Sequence, residues 1–359
     1  MACREIAIEQ CDILPRVTDR PFGKRRVTLR EVAAAAGVDP SAVSRIVNGD
    51  PNIVVSEATR IRILAAVEEL GYRPSLSARG LKSSKSWTIG FVLPNLTNPM
   101  YEPIVRGIEF EANRLGYGIV LGSQIEGRSA KTFAQLLQEG RVDGLLVASS
   151  TLQDDFIREI VEHGPGPVIP VNRRVDGVVS SVIVDDEGAS RKAVKYLCDL
   201  GHRVIGGIFG PKEFDTAVRR KKGFDDAISN SGATSVEANR LEWSAKEGYL
   251  GALEILSEHP EVTAIYASTL VMGIGALRAA AESNRPIPSS LSIICLHDSN
   301  LAEYLVPPLT TVRLPMEELG TAAVNLLIER TNGAPQRAVM IEGDGKIIVR
   351  ASTGDVPAT

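Results

Sequence analysis

The sequence predicts an α/β protein: an N-terminal three-helix helix-turn-helix head, then a two-lobed core built on parallel sheets. Three observations predict it. Helix start and stop signals cluster at two-turn spacing just after residue 26. From Trp87 onward strand-like apolar runs alternate with helical segments. The chain has 359 residues, 44% of them hydrophobic, which is enough for two or three domains with a large buried core.

Residues 1–26 carry Pro15, Pro21 and Gly23 among isolated apolar positions and read as a poorly ordered extension. Thr28-Leu29-Arg30-Glu31 is a capping box, whose hydroxyl and carboxylate satisfy free NH groups at a helix start. Leu29, Val32, Ala33 and Ala36 follow at helical spacing, and Gly37 ends the helix because it takes the left-handed conformation without a Cβ clash. Asp39 caps a second short helix with Pro40 at its first position, where a missing NH costs nothing. Val43, Ile46 and Val47 form its apolar stripe, which leaves Ser41, Ser44 and Arg45 on the exposed side. After the turn-forming Asn48-Gly49-Asp50-Pro51, Ser56 caps a longer helix running to Leu70, with Ile61, Leu64, Ala65, Val67 and Leu70 as its expected apolar face. Residues 27–73 therefore read as a helix-turn-helix domain, although a three-helix cap on a larger domain fits the same pattern. Residues 74–86 are a polar, basic connector.

Residues 87–359 form the core. One set of strands is expected at Ile89 to Leu93, Ile119 to Gly122, Leu145 to Ala148 and Val168 to Val171, with helices such as Ile104 to Leu115 and Phe133 to Leu137 between them. A second set follows at Val182 to Val184, Val204 to Phe209, Ala264 to Ala267 and Ser292 to Cys295. Repeated strand-helix-strand order gives parallel sheets covered on both faces, and a segment this long exceeds one comfortable doubly wound domain. Two similar lobes around a cleft are the natural arrangement, though the halves show no sequence repeat.

Net charge is -4, which taken whole argues against a nucleic-acid partner. The average conceals an asymmetry. Lys24 to Lys85 holds 11 basic and 6 acidic residues, so this segment is +5 and the remainder -9. The longest apolar runs fall far short of the roughly 18 residues a membrane span needs. The first 26 residues lack the pattern of an export signal, so a cytoplasmic location is expected. Cys3, Cys11, Cys198 and Cys295 are scattered without CxxC spacing, and the four histidines form no metal-type cluster. No metal and no cofactor are called for.

The order of motifs resembles the lactose/galactose repressor family of bacterial transcription regulators, from Val27 to about Asp355. The resemblance rests on Val27-Thr28-Leu29-Arg30-Glu31-Val32-Ala33, Ala36-Gly37-Val38, Val43-Ser44-Arg45, Asn48-Gly49, Thr59-Arg60 and Glu69-Leu70-Gly71-Tyr72-Arg73-Pro74. It implies a periplasmic-binding-protein-like core, side-by-side homodimers, double-stranded operator DNA and a small effector, a sugar or sugar derivative, as partners, and no membrane. It also implies that the second helix enters the major groove, where Pro40, Ser41 and Arg45 hold the base-reading positions. A guanidinium can bond guanine O6 and N7 together, which singles out Arg45; a phosphate clamp is its alternative role. Thr28, Ser44, Asn48 and Thr59 correspond to phosphate-positioning residues. Two departures stand out: seven residues separate Asn48 from Ser56 where the family usually has five, and Pro40 has no side-chain donor. Ala78-Arg79-Gly80-Leu81 matches the family's hinge helix, with Ala78 and Leu81 at the minor groove and Leu81 in the place of a wedge that kinks DNA. A plain flexible linker is the alternative.

In the core, Pro94 to Tyr101 matches the loop lining the family's effector cleft and supplies Met100 and Tyr101; Asn172 is a further cleft position. Arg220 aligns with an arginine that grips effector hydroxyls or carboxylates, and Trp243 with an aromatic that stacks on the effector. A structural ion pair and a core aromatic are the alternatives for these two. Where many members read Ala-Asn-Asp and Phe-Asp-Asp, this chain has Ala267-Ser268-Thr269 and Leu296-His297-Asp298, so Ser268 and His297 are further cleft positions that depart from the family pattern, and a protonated His297 would favour an acidic effector. Catalytic motifs of the G-x-S-x-G, P-loop and H-E-x-x-H kinds are absent. The resulting expectation is a DNA-binding regulator, a repressor under effector control, and not an enzyme; an exported sugar-binding protein shares the lobed fold but would lack the head. Substituting Leu81→Ala is expected to weaken operator binding about tenfold or more while leaving non-specific binding within about twofold in gel-shift assays. Equal loss of both would exclude a wedge.

Overall fold

The computed structural model describes residues 27–47, 50, 53–72, 85–123, 129–148 and 154–356. Asn48, Ala78 and Leu81 lie outside these residues. The chain divides into two compact units at Ser83/Ser84.

The first unit contains α1 (Leu29–Ala36), α2 (Pro40–Val47) and α3 (Glu57–Leu70). Thr28 closes the capping box on α1: its hydroxyl accepts from Glu31 N at 3.4 Å, and its own NH donates to Glu31 Oε2 at 2.6 Å. Gly37 has φ 64°, the left-handed value that lets the chain turn at once into α2. Asp39 starts α2 by accepting from Ser41 N at 2.7 Å, and hydrogen bonds from the Ser41 side chain and backbone hold its carboxyl below the usual range. Val32, Ala33, Ala36, Val43, Ile46, Ile63 and Ala66 form the small core.

The face of α3 differs from expectation. Ile63 and Ala66 are buried with Val67 and Leu70 packed beside them, whereas Ile61 is 59% and Leu64 48% exposed and Ala65 faces water. The helix carries apolar residues on two sides, each at helical spacing. Contact with α1 and α2 decides which side is covered, and periodicity alone cannot.

In the second unit β1 (Thr88–Leu93), β2 (Gly118–Ser123), β3 (Gly144–Val147) and β4 (Val168–Pro170) form a parallel sheet in the order β2-β1-β3-β4. Its helices are α4 (Tyr101–Arg114), α5 (Ser129–Gln138) and α6 (Asp154–His163). After β5 (Ser181–Val184) the chain enters the other lobe as α7 (Asp186–Asp199), β6 (Val204–Phe209), α8 (Asp215–Ser231), β7 (Thr234–Asn239), α9 (Ala245–Glu258), β8 (Ala264–Ala267), α10 (Leu270–Glu282), β9 (Ser292–Leu296) and β10 (Thr310–Arg313). It returns with α11 (Met316–Thr331) and β11 (Ala338–Ile341), then crosses again to β12 (Lys346–Ile348). The second sheet has the order β12-β10-β9-β8-β6-β7, parallel except for β12, which runs antiparallel to β10.

Strand β5 corrects the division read from the sequence. It pairs with β11, and Val182 bridges Val171 beyond β4, so it completes the first lobe rather than opening the second. Both β5 and β11 touch α11, which itself lies against α4. That last contact is unusually close: a Cβ on Gly107 would sit 2.0 Å from the Glu317 carbonyl oxygen, and one on Gly320 would sit 2.3 Å from that of Ile104. Crossings thus occur at Asp185, at Leu314-Pro315 and through 342–345. Lys192 bonds Asp344 and the Gly345 carbonyl, so α7 is tied to the last of them.

Replacing Gly107 by Ala should lower the core's unfolding free energy by about 1–3 kcal/mol, because backbone and not a flexible side chain must yield. Gly118→Ala, whose added methyl meets nothing nearer than 3.8 Å, should stay within about 0.5 kcal/mol. Urea unfolding of the two variants checks the difference.

Candidate functional site

The helical head presents Ser41 and Arg45 one turn apart on the exposed side of α2, opposite buried Val43 and Ile46, with Pro40 and Ser44 half-buried beside them. Thr28 lies at the N-terminus of α1. Thr59 lies in the first turn of α3, its hydroxyl 2.9 Å from that of Ser56. Helix N-termini present unsatisfied NH groups and the positive end of the helix dipole, which suits phosphate oxygens. Arg45 Nε donates to Asp50 Oδ2 at 3.0 Å.

In the core unit a cavity of about 520 Å³ opens where strands of both sheets end. Pro94 to Tyr101 follow β1, Ala148 follows β3, and Asn172 and Arg173 follow β4; Pro211 and Phe214 follow β6, Leu241 to Trp243 follow β7, and Thr269 follows β8. Met100, Tyr101, Asn172, Arg220 and Trp243 all line it. Burial pushes the Tyr101 phenol above its ordinary range, and its hydroxyl is 3.5 Å from the Ala148 carbonyl oxygen. Asn172 is held at φ 59°, and its buried Oδ1 has no hydrogen-bond partner among the described residues. A strained residue with an unused acceptor at a cavity wall is suited to a ligand donor.

Arg220 is 1% exposed and engaged on every side. Its Nε donates to Asp186 Oδ1 at 2.7 Å, its Nη1 to the Ser268 carbonyl at 3.0 Å, and its Nη2 lies 3.2 Å from His297 Nε2. Arg219 approaches the other oxygen of Asp186 at 2.5 Å and Asp215 at 2.9 Å. Burial alone would raise the Asp186 carboxyl; Arg220 and Arg219 outweigh it and hold that group below its ordinary value.

The hydrogen bonds of Ser268 and His297 run to neighbouring protein groups, and His297 lines an adjoining cavity with Met100 and Asp298. Neither lines the cavity walled by Trp243. Ser268 offers Arg220 its carbonyl while its hydroxyl turns to Met272 Sδ, and Thr269 faces the cavity instead. Burial, and then the Arg220 charge, push His297 down to about 3. The imidazole is neutral at physiological pH, so the protonated form invoked from the sequence is not available, and Nε2 accepts from the guanidinium.

Three contributors escaped the sequence reading. Arg173 lies over the Phe214 ring at 5.4 Å and pairs with Asp154. Phe214 stands 5.4 Å from Trp243 at 44°, extending the aromatic wall. Asp186 sits one residue beyond an apolar strand, in the first turn of the next helix, a placement that could have marked it. The Trp243 ring covers Gly210 so closely that a Cβ there would lie 2.0 Å from Nε1. Among the described residues no group of His, Cys, Asp and Glu could hold a metal, and no helix is long and apolar enough to cross a membrane.

Residues 28–75 match the description "Bacterial regulatory proteins, lacI family", and residues 194–353 match "Periplasmic binding protein-like domain". The HTH-type transcriptional repressor PurR of Photobacterium profundum is 30% identical over 335 residues, covering 92% of this chain and 99% of that one. The chain belongs to the LacI family. It is a helix-turn-helix DNA-binding transcriptional regulator. Among solved structures of this family, the lac repressor dimer bound to operator and the anti-inducer ONPF is 27% identical with a TM-score of 0.76, covering 92% of this chain and 100% of that one. The complex of the transcriptional regulator CelR with cellobiose is 29% identical with a TM-score of 0.68, covering 91% and 100%.

His202 is also buried, its ring nitrogens 2.9 Å from Thr263 Oγ1 and 3.0 Å from Ser292 Oγ, and burial lowers its pKa. Both imidazoles are neutral when folded and take up protons near pH 6.5 when unfolded. Their stabilisation is therefore complete above about pH 6.5 and declines as pH falls toward the folded values. Urea midpoints between pH 7.5 and 4.5 should fall, each histidine adding a slope of at most about 1.4 kcal/mol per pH unit. In His297→Gln one such contribution should vanish; an unchanged slope would show that His297 is not held neutral.

Proposed function

We infer that this regulator is a repressor that binds a pseudo-palindromic operator as a homodimer and releases or grips it according to a neutral, sugar-like effector in the core cavity. It acts by binding alone, without catalysis, in the bacterial cytoplasm. The carrying observation is the chemistry of the cavity wall. Arg173, Arg219 and Arg220 are matched by Asp154, Asp186 and Asp215, so the cluster brings no surplus positive charge to an anion. Beside it stand the Phe214 and Trp243 rings and the unused acceptor of Asn172. Ring faces take the CH surface of a sugar while directional donors and acceptors take its hydroxyls. The CelR complex holds such a sugar, which supports the reading.

Residues from both lobes line the cavity, Met100 and Asn172 from one and Arg220 and Trp243 from the other. A ligand touching both sides stabilises one lobe angle over another, and shifts the population competent for DNA by no more than its differential affinity for the two angles. In sequence the connector, residues 74–86, immediately precedes β1 of the first lobe. Phosphate contact falls to Thr28, Ser44, Asn48 and Thr59, base contact to Pro40, Ser41 and Arg45, and the minor groove to Ala78 and Leu81.

Titrating neutral mono- and disaccharides should change Trp243 fluorescence, a change lost in Trp243→Phe although Trp87 remains. Affinity should hold within about twofold from pH 5.5 to 8, because neither His297 nor an arginine titrates there. Binding restricted to sugar acids would overturn the neutral-ligand reading.

A further inference from the structure

Arg45 is tied down before any DNA arrives. Its Nε donates to Asp50 Oδ2 at 3.0 Å, and the backbone closes the same loop, Asp50 N donating to the Arg45 carbonyl at 2.9 Å. The Arg45 side chain is 50% exposed, and among the described residues its Nη1 and Nη2 have no hydrogen-bond partner. A guanidinium is planar, so fixing Nε fixes the direction of the opposite edge, where the two Nη groups lie side by side.

We propose that Asp50 is a specificity-determining positioning residue, which holds Arg45 with its Nη edge presented to a guanine in the major groove. The inference rests on the reading of Arg45 as a base-contacting residue and chooses between its two possible roles. A phosphate clamp works by net charge, and a carboxylate bonded to the guanidinium offsets that charge and repels the backbone. Paired donors reading O6 and N7 work by direction, and the same carboxylate improves direction. Tying Nε also removes rotamer freedom in advance, so less is lost on docking than for a free arginine. Ser41, one turn earlier on the same exposed face of α2, is a short side chain beside the long Arg45.

The test needs no known operator. Full-length protein selects sites from a double-stranded DNA library with a randomised window, and sonicated genomic DNA measures binding without sequence preference. Wild-type selections should fix a guanine at one position in each half-site. Asp50→Asn should reduce discrimination at that base pair alone by about tenfold, with binding to sonicated DNA unchanged or tighter because a negative charge has gone. Asp50→Glu, which keeps the carboxylate, should restore most of the discrimination. Arg45→Ala should erase the same preference, and Asp50→Asn in that background should add nothing. If Arg45→Ala leaves every base preference intact, the base-reading role itself falls. If it erases the guanine but Asp50→Asn does not weaken it, only the role of Asp50 falls. Parallel loss of specific and non-specific binding in Asp50→Asn would overturn the proposal in favour of a purely structural loop contact.

Discussion

The Asp186 carboxylate, wholly buried at the start of α7 where the chain first leaves one lobe for the other, must remain paired, and the architecture of the cavity follows from that requirement. An unpaired charge at such a site would cost several kcal/mol, and losing one partner of a buried pair typically costs about 3–5 kcal/mol. Arg219 and Arg220 are consecutive residues of α8, and both reach it. The Ser268 carbonyl and His297 then each accept one N–H from the two Nη nitrogens of Arg220. Elements from β5 to β9 are thereby locked around one anion, and Arg220 is placed without freedom to choose a rotamer.

The same economy of motion shows in how the helices meet. α4 and α11 approach closely enough that Gly107 and Gly320 cannot carry a side chain. A contact of that kind transmits displacement instead of absorbing it. The chain passes between the lobes at the short crossings near Asp185, Leu314-Pro315 and 342–345. The cavity is lined from both sides of those crossings, and β1 belongs to the first lobe.

Local signals in the head were legible because each is decided within a few residues. Thr28 with Glu31, Asp39 with Ser41, Ser56 with Thr59 and the glycines at 37 and 71 form the caps that their types and spacing predict. The covered side of α3 was not legible, since Ile61 and Leu64 satisfy helical periodicity as well as Ile63 and Ala66 do. In the core, strands buried on both faces announced themselves as continuous apolar runs. The edge strand β7, reading Thr-Ser-Val-Glu-Ala-Asn, and β12, a three-residue strand, did not. The membership of β5 was hidden for a different reason: its partner β11 lies more than 150 residues away, and no local pattern encodes such a pairing.

Residue types and spacing by themselves determined the α/β class, the helix-turn-helix, the charge division between head and remainder, and the family's signature positions. Each of these depends on neighbours in sequence or on composition. Tertiary structure alone decided what each cleft residue does. His297, a titratable group when read in isolation, becomes a neutral acceptor through burial beside Arg220. Ser268 contributes its carbonyl, Arg173 joins the wall, and Asp186 becomes the anchor. Burial and the proximity of charges set protonation and hydrogen-bond direction, and both depend on residues brought together from distant parts of the chain.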